Sequence, residues 1–331
     1  MQLYPLLMTP YFRHGEQTPW GGSMLQDVFL KDAPDDRTGE SLEISALPGC
    51  ESVVRNGEHA GKALSQMLAL WGEALTGAGT DMPLLLKILD ARERLSVQVH
   101  PDDEDGRPGK SEAWIVLWAE EGAKLVYGLS TEGRPLREIV EAGELESVLR
   151  WEPARPGDVF YIPAGTVHAL GGGICCYEIQ QNSATTYRFW DWGRVGADGQ
   201  PRALHIEEAL RVSAPDRALP KLEGVTQIVR GGSVTHYICD KHFHLMRLNV
   251  SGNMPLPEGR MLFVTPTQSM TLTWPGGEIT CAPFDSILVP AHLQGASIRG
   301  DGKALVSATP DREALRAELG YRAENVAGLV D

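Results

Sequence analysis

Short apolar runs recur along this chain, and proline and glycine punctuate them throughout. LLLKILD (84–90), AWIVLWAE (113–120), DVFYIPA (158–164), ICCYEIQ (174–180), MLFVTPT (261–267) and SILVPAH (286–292) are the clearest. Proline donates no hydrogen to a β-ladder and glycine supplies tight turns. With 36 glycines and 22 prolines so placed, the chain is cut into strands of a few residues. Many short strands at close spacing predict a mainly β protein, a sandwich or a barrel. Three stretches depart from the pattern. Residues 57–76, 205–213 and 310–319 carry apolar side chains at helical spacing and are expected as a few helices on the outside of the β core.

At 331 residues the chain has room for two medium domains. An internal echo points the same way. GDVFYIPA (157–164) and FDSILVPA (284–291) share an aspartate, a short strand and Pro-Ala. Five residues past Pro163 stands His168, whereas five residues past Pro290 stands Gly295. Two related β domains are expected, of which only the first keeps its histidine.

The net charge of −14 argues against nucleic acid or an anionic membrane as the main partner. No signal peptide is read at the N-terminus, and no run is long enough to span a bilayer. The five cysteines, Cys50, Cys175, Cys176, Cys239 and Cys281, form no CxxC pair and no even framework, so structural thiols in a reducing, cytoplasmic setting are expected.

LSVQVHPDDE (95–104) carries the strongest chemical signal. Side chains alternate along a strand, so Ser96, Gln98 and His100 share one face and Leu95, Val97 and Val99 the other. A polar face in a half-buried strand needs partners. GKSEAW (109–114) offers Glu112 at the start of a strand whose next inward positions are Trp114 and Val116. GDVFYIPAGTVH (157–168) ends a strand at Pro163, turns at Gly165 and starts the next strand with His168. Its spacing resembles the second motif of the cupin superfamily, whose small jelly-roll barrels hold a metal. Gln98, His100, Glu112 and His168 together offer an amide oxygen, two imidazoles and a carboxylate. That set suits Zn²⁺ with an open position, and Mn²⁺, Fe²⁺ or Co²⁺ as well. Any one of these residues alone is more often a hydrogen-bonded core group or, for Glu112, a surface carboxylate. The combination carries the reading. His14, His59, His205, His236, His242, His244 and His292 are read as structural or surface residues, and PDDED (101–105) as a solvated acidic turn rather than a calcium loop.

GESLEIS (39–45), LKILDARERLSVQVHPDDE (86–104), GKSEAW (109–114), YIPAGTVHAL (161–170) and EIQQNSATTYRFWDWGR (178–194) resemble type I mannose-6-phosphate isomerase in its short bacterial form. The likeness runs from about residue 10 to residue 215 and is only general beyond 220. It implies two cupin-type jelly-roll β-barrels: a metal-binding catalytic domain over 1–222 and a degenerate domain without metal over 223–331. It further implies one zinc ion on Gln98, His100, Glu112 and His168, Arg188 and Lys110 as catalytic residues, and Ser96 lining the same pocket. The implied reaction interconverts mannose 6-phosphate and fructose 6-phosphate through a cis-enediol, so a phosphorylated hexose is the expected partner. The oligomeric state is open, with a monomer expected. The family often has an aspartate where Ala184 stands, and EQTPWGG (16–22) replaces its basic-aromatic lead, which bears on substrate preference. Two other readings stand beside the isomerase: a non-catalytic sugar-phosphate-binding cupin, and another metallocupin such as an iron dioxygenase.

Overall fold

Residues 2–104, 107–196 and 199–330 are described by a computed structural model. The protein is mainly β, with antiparallel sheets, as the punctuation of the sequence predicts. It forms two compact units, one of Met1–Tyr11, Leu42–Lys87 and Leu222–Asp331, the other of Phe12–Ser41 and Ile88–Lys221. One division falls at 221/222, and two earlier segments, 1–11 and 42–87, belong with the later part of the chain.

Residues 88–221 lie chiefly on two sheets. One has the strand order Val159–Ile162, Glu112–Ala119, Ile174–Gln181, Leu84–Ala91, Thr38–Ile44, Tyr11–His14. The other runs Tyr187–Trp190, Val97–Val99, His168–Ala169, Lys124–Leu129, Leu149–Pro153. Alternation assigns the faces. Trp114 and Val116 point inward from the first sheet onto Phe160 and Ile162 of the paired strand and onto Leu125 and Tyr127 of the second sheet. Val97, Val99, Val126 and Ala169 point the opposite way, where Ala209, Ile206 and Leu210 of helix Ile206–Val212 cover them. An apolar face left open to water on either side would forfeit about 25 cal/mol per Å², so both faces of the second sheet are closed.

Leu95 corrects one expectation. It packs inward with Trp114 and Phe160, not outward with Val97 and Val99, because the strand begins only at Val97 and alternation does not extend back to it.

The expected helices form as shorter pieces. The 57–76 stretch gives a 3₁₀ turn at Gly57–His59 and helices Leu64–Trp71 and Glu73–Thr76, broken where Gly72 takes φ +48°. Residues 310–319 give Arg312–Leu319, capped by Asp311, whose side chain accepts from Ala314 N. Leu136–Glu141 and Leu145–Val148 are additional short helices, too brief for a periodic signal. Cys175 and Cys176 lie on one strand with a bulge between them, and both are buried and unbridged.

The internal echo corresponds to one turn built twice, once in each unit. Asp158 Oδ2 accepts from Arg155 N at 3.0 Å, and Asp285 Oδ2 accepts from Ala282 N at 2.8 Å. Gly157 and Phe284, each just before its aspartate, both have positive φ, +94° and +62°. Strands Val159–Ile162 and Ser286–Val289 follow. After them, Thr166 N donates to Pro163 O and Leu293 N to Pro290 O, each at 3.1 Å.

Candidate metal centre

Four neighbouring strands of the second sheet set a row of inward side chains. Arg188 pairs across from Gln98, Gln98 from His168, and His168 from Tyr127. Directly paired residues share a face, so these four stand side by side. The facing sheet brings its own row, Ile162, Glu112 and Gln180. Two sheets thereby present Gln98, His100 and His168 to Glu112 across the interior.

The ligand atoms of His100, Glu112 and His168 lie within 4.8 Å of one another, and all three residues are buried. His100 Nδ1 donates to Thr185 O at 2.9 Å, and His168 Nδ1 donates to Thr166 O at 2.8 Å. A carbonyl can only accept, so these bonds fix both tautomers and turn a lone pair at each Nε2 toward the carboxylate. His168 Nε2 lies 3.1 Å from Glu112 Oε1, and His100 Nε2 3.5 Å from Oε2. Glu112 Oε1 is fully buried with no hydrogen-bond donor. A buried anionic oxygen facing a lone pair is satisfied by a cation between them, so the donor set fits a divalent metal ion.

Lys110, also buried, contacts Glu112 Oε2 and lies 3.1 Å from His100 Nε2. Burial by itself pushes the Glu112 pKa up, but the Lys110 charge, then His100 and His168, overcome it and hold the carboxyl well below its ordinary range. Burial, followed by the Lys110 charge, lowers the His100 pKa to about 3, so the imidazole is neutral as a ligand must be.

Gln98 brings its amide nitrogen 3.3 Å from His168 Nε2, and a half-turn of the amide would present its oxygen instead. Ser96 Oγ reaches Gln98 Oε1 at 3.5 Å, which puts the hydroxyl beside that amide. Arg188 lies one strand further along. Its Nη1 donates to Ala203 O at 2.8 Å, while its Nε is buried without a partner. Burial, then the neighbouring Arg202, lowers its pKa. Asp191 is taken by Arg202 at 2.6 and 2.7 Å and by Arg194 at 3.1 Å.

Several supports were beyond the reach of the sequence. The carbonyls of Thr185 and Thr166 belong to no side-chain motif. Gln180 stands across from Glu112 and leaves a buried Oε1 without a donor. Asp103, read as part of a solvated turn, accepts from Gly109 N at 2.8 Å and from Gln181 Nε2 at 2.9 Å, and Gln181 Oε1 accepts from Ser111 N at 2.8 Å. It is exposed, yet it braces the segment carrying Lys110 and Glu112. Asp105 of the same turn lies outside the described residues.

Fold and donor set define a cupin-type β protein with two imidazoles and a carboxylate able to hold a metal. Comparison with known proteins is more specific. Residues 12–115 match the family of phosphomannose isomerase type I, catalytic domain. The mannose-6-phosphate isomerase ManA of Bacillus subtilis is 35% identical over 325 residues, covering 93% of this chain and 99% of that protein. A mannose-6-phosphate isomerase of Streptococcus mutans is 38% identical over 249 residues, covering 72% and 78%. A crystal structure of mannose 6-phosphate isomerase from Bacillus subtilis superposes with a TM-score of 0.83 at 32% identity, covering 92% and 99%. The chain belongs to the type I mannose-6-phosphate isomerase family. Among the described residues, no helix is long and apolar enough to cross a membrane.

Proposed function

We propose that this protein is a zinc-dependent aldose–ketose isomerase that interconverts mannose 6-phosphate and fructose 6-phosphate through a cis-enediol(ate). The observation that carries the reading is the meeting of His100, Glu112 and His168 ligand atoms in a buried site, in a member of this family. Gln98, His100, Glu112 and His168 would hold the ion. Two imidazoles, a carboxylate and an amide favour zinc, and when bound it supplies a Lewis acid to polarise the sugar's oxygens.

The chain's own residues would do the rest. Moving hydrogen between C1 and C2 requires a group that takes and returns a proton at carbon, and a cation close to the oxygen that becomes negative. Lys110 is assigned the proton, which its amine would take in the neutral form, with Glu112 engaged by the ion rather than by the ammonium. That amine lies among the ligand atoms, where the reacting carbons of a bound sugar would come. Arg188 is assigned the phosphate or the enediolate, because a guanidinium stays cationic and the nearby Asp191 is already occupied by two other arginines. Ser96 would close the substrate pocket on the Gln98 side. Catalysis is assigned to the part of the chain that carries these residues, and the 223–331 segment is proposed to hold no metal. A cytoplasmic location is part of the same reading, supported by five unbridged cysteines.

Metal analysis of the purified protein, with a coupled assay on mannose 6-phosphate, tests the whole reading. One zinc per chain with turnover is expected. Zinc without turnover would sink the isomerase in favour of a sugar-phosphate-binding protein. Lys110→Ala that still exchanges the C2 proton at the wild-type rate would remove Lys110 from its role.

A further inference from the structure

The unit built from Met1–Tyr11, Leu42–Lys87 and Leu222–Asp331 contains a cavity of about 340 Å³ that the isomerase reading does not use. Its polar side is one directed chain of hydrogen bonds. Arg260 Nη1 lies 3.3 Å from His244 Nδ1, His244 Nε2 lies 2.9 Å from His236 Nδ1, and His236 Nε2 lies 2.8 Å from Gln227 Oε1. A guanidinium can only donate, so His244 Nδ1 accepts and its Nε2 donates. His236 Nδ1 therefore accepts and its Nε2 donates to the Gln227 oxygen. Every ring nitrogen is used, with both imidazoles neutral. Burial favours that state, with the Arg260 charge adding to it: His236 is lowered to about 4 and His244 well below its ordinary value.

Arg260 is thus the charged member of this chain. Among the described residues it forms no ion pair, and one of its five N–H groups is spent on His244. The apolar walls are chiefly Val229, Val234, Met246 and Leu248. Arg230, Glu258 and Glu318 also line the cavity, and Glu258 accepts from Gly295 N at 2.8 Å. A concave, largely apolar space with a few convergent polar groups has the size and make-up of a small-molecule site.

We propose that this cavity binds a small monocarboxylate with a compact branched hydrocarbon body, its carboxylate seated on the Arg260 guanidinium. Arg230 and Arg260, set against Glu258 and Glu318, leave the lining without net charge, which opposes a dianion more than it opposes a single carboxylate paired to the Arg260 guanidinium. A phosphate monoester carries close to two negative charges, and the carboxylates of Glu258 and Glu318 oppose the excess. The branched body takes the apolar walls, which an inorganic anion would leave wet.

Isothermal titration of the full-length protein with isovalerate, set against inorganic phosphate, tests the proposal. Saturable binding of one isovalerate per chain is expected, with the imidazole NMR signals of His236 and His244 shifting at the same midpoint. Arg260→Gln should weaken it about tenfold or more, the loss of a charge-assisted pair. Val234→Trp, which fills the cavity from a half-buried wall, should abolish it. Absence of saturable binding overturns the site, and so does binding that both substitutions leave intact, since that places the anion elsewhere. Phosphate that displaces isovalerate at equal or lower concentration overturns the carboxylate assignment. Should Arg260→Gln fail to fold, Val234→Trp and the wild-type imidazole shifts decide alone.

Discussion

At Glu112 the cost of burying a carboxylate competes first with the charge of Lys110, and the carboxylate keeps its ionised state. Glu112→Gln keeps the shape and removes the charge. Metal affinity should then fall by more than the roughly 10–100-fold that follows loss of an orienting partner. Dialysis against a metal buffer with elemental analysis reads it, and full retention of metal would remove Glu112 from the ligand set. Ser96 separates two roles. If its hydroxyl serves to orient the Gln98 amide, Ser96→Ala weakens metal binding about tenfold and leaves KM for the sugar phosphate unchanged. A raised KM with normal metal content would instead assign Ser96 to the substrate. His100, Glu112 and His168, whose ligand atoms meet, were legible because each is a side chain set by strand alternation or a turn-specified spacing. What orients them was not. The Thr185 and Thr166 carbonyls are backbone groups that every residue carries, and Gln180 meets Glu112 only through strand register.

The turn Pro163–Thr166 shows how an element delivers a residue. Gly165 has φ +85°, its N–H donates to His100 O at 2.9 Å, and its carbonyl accepts from Ala214 N at 2.8 Å. A Cβ there would lie 2.9 Å from Val212 O. Gly165→Ala should therefore cost about 1–3 kcal/mol, from the left-handed backbone together with the close approach. Urea unfolding measures that loss. Because this turn ties His100 to the start of the His168 strand, the same variant should bind metal more weakly, and an unchanged midpoint would contradict the strain argument. Element existence was readable from the sequence wherever an apolar run met a glycine or proline. Element ends were less so. Val97–Val99 is only three residues long, and that brevity let Leu95 turn inward against the alternation. The short helices after Pro135 leave no periodic trace because four to six residues barely complete a turn or two.

On the scale of the whole molecule, the spacing of short apolar runs anticipated the fold class but not which distant strands pair. Leu6–Thr9 pairs with Ser286–Val289, almost the full chain length away, and no local pattern encodes so distant a partner. The twice-built turn was legible because its aspartate and Pro-Ala are local. The most global consequence is pH dependence. The unfolded chain protonates its histidines near 6.5, whereas folded His236 does so near 4 and His244 well below its ordinary value. Between those values the unfolded state binds protons that the folded state refuses. Stability is thus fully present above pH 6.5 and is lost as pH falls toward 4. For His236 alone this amounts to about 2 kcal/mol between pH 7 and pH 5. Depressed Glu112 acts with the same sign, but its effect begins only as the pH falls through its unfolded value of 4.5. Urea midpoints measured from pH 8 to pH 5 should therefore fall steadily. In the His236→Gln/His244→Gln double variant the slope over that range should flatten, whatever the variant's absolute stability, because the metal-site histidine contributes equally to both proteins. A double variant with the wild-type slope would mean that these two imidazoles are protonated in the folded protein, and the directed hydrogen-bond chain from Arg260 to Gln227 could not then hold.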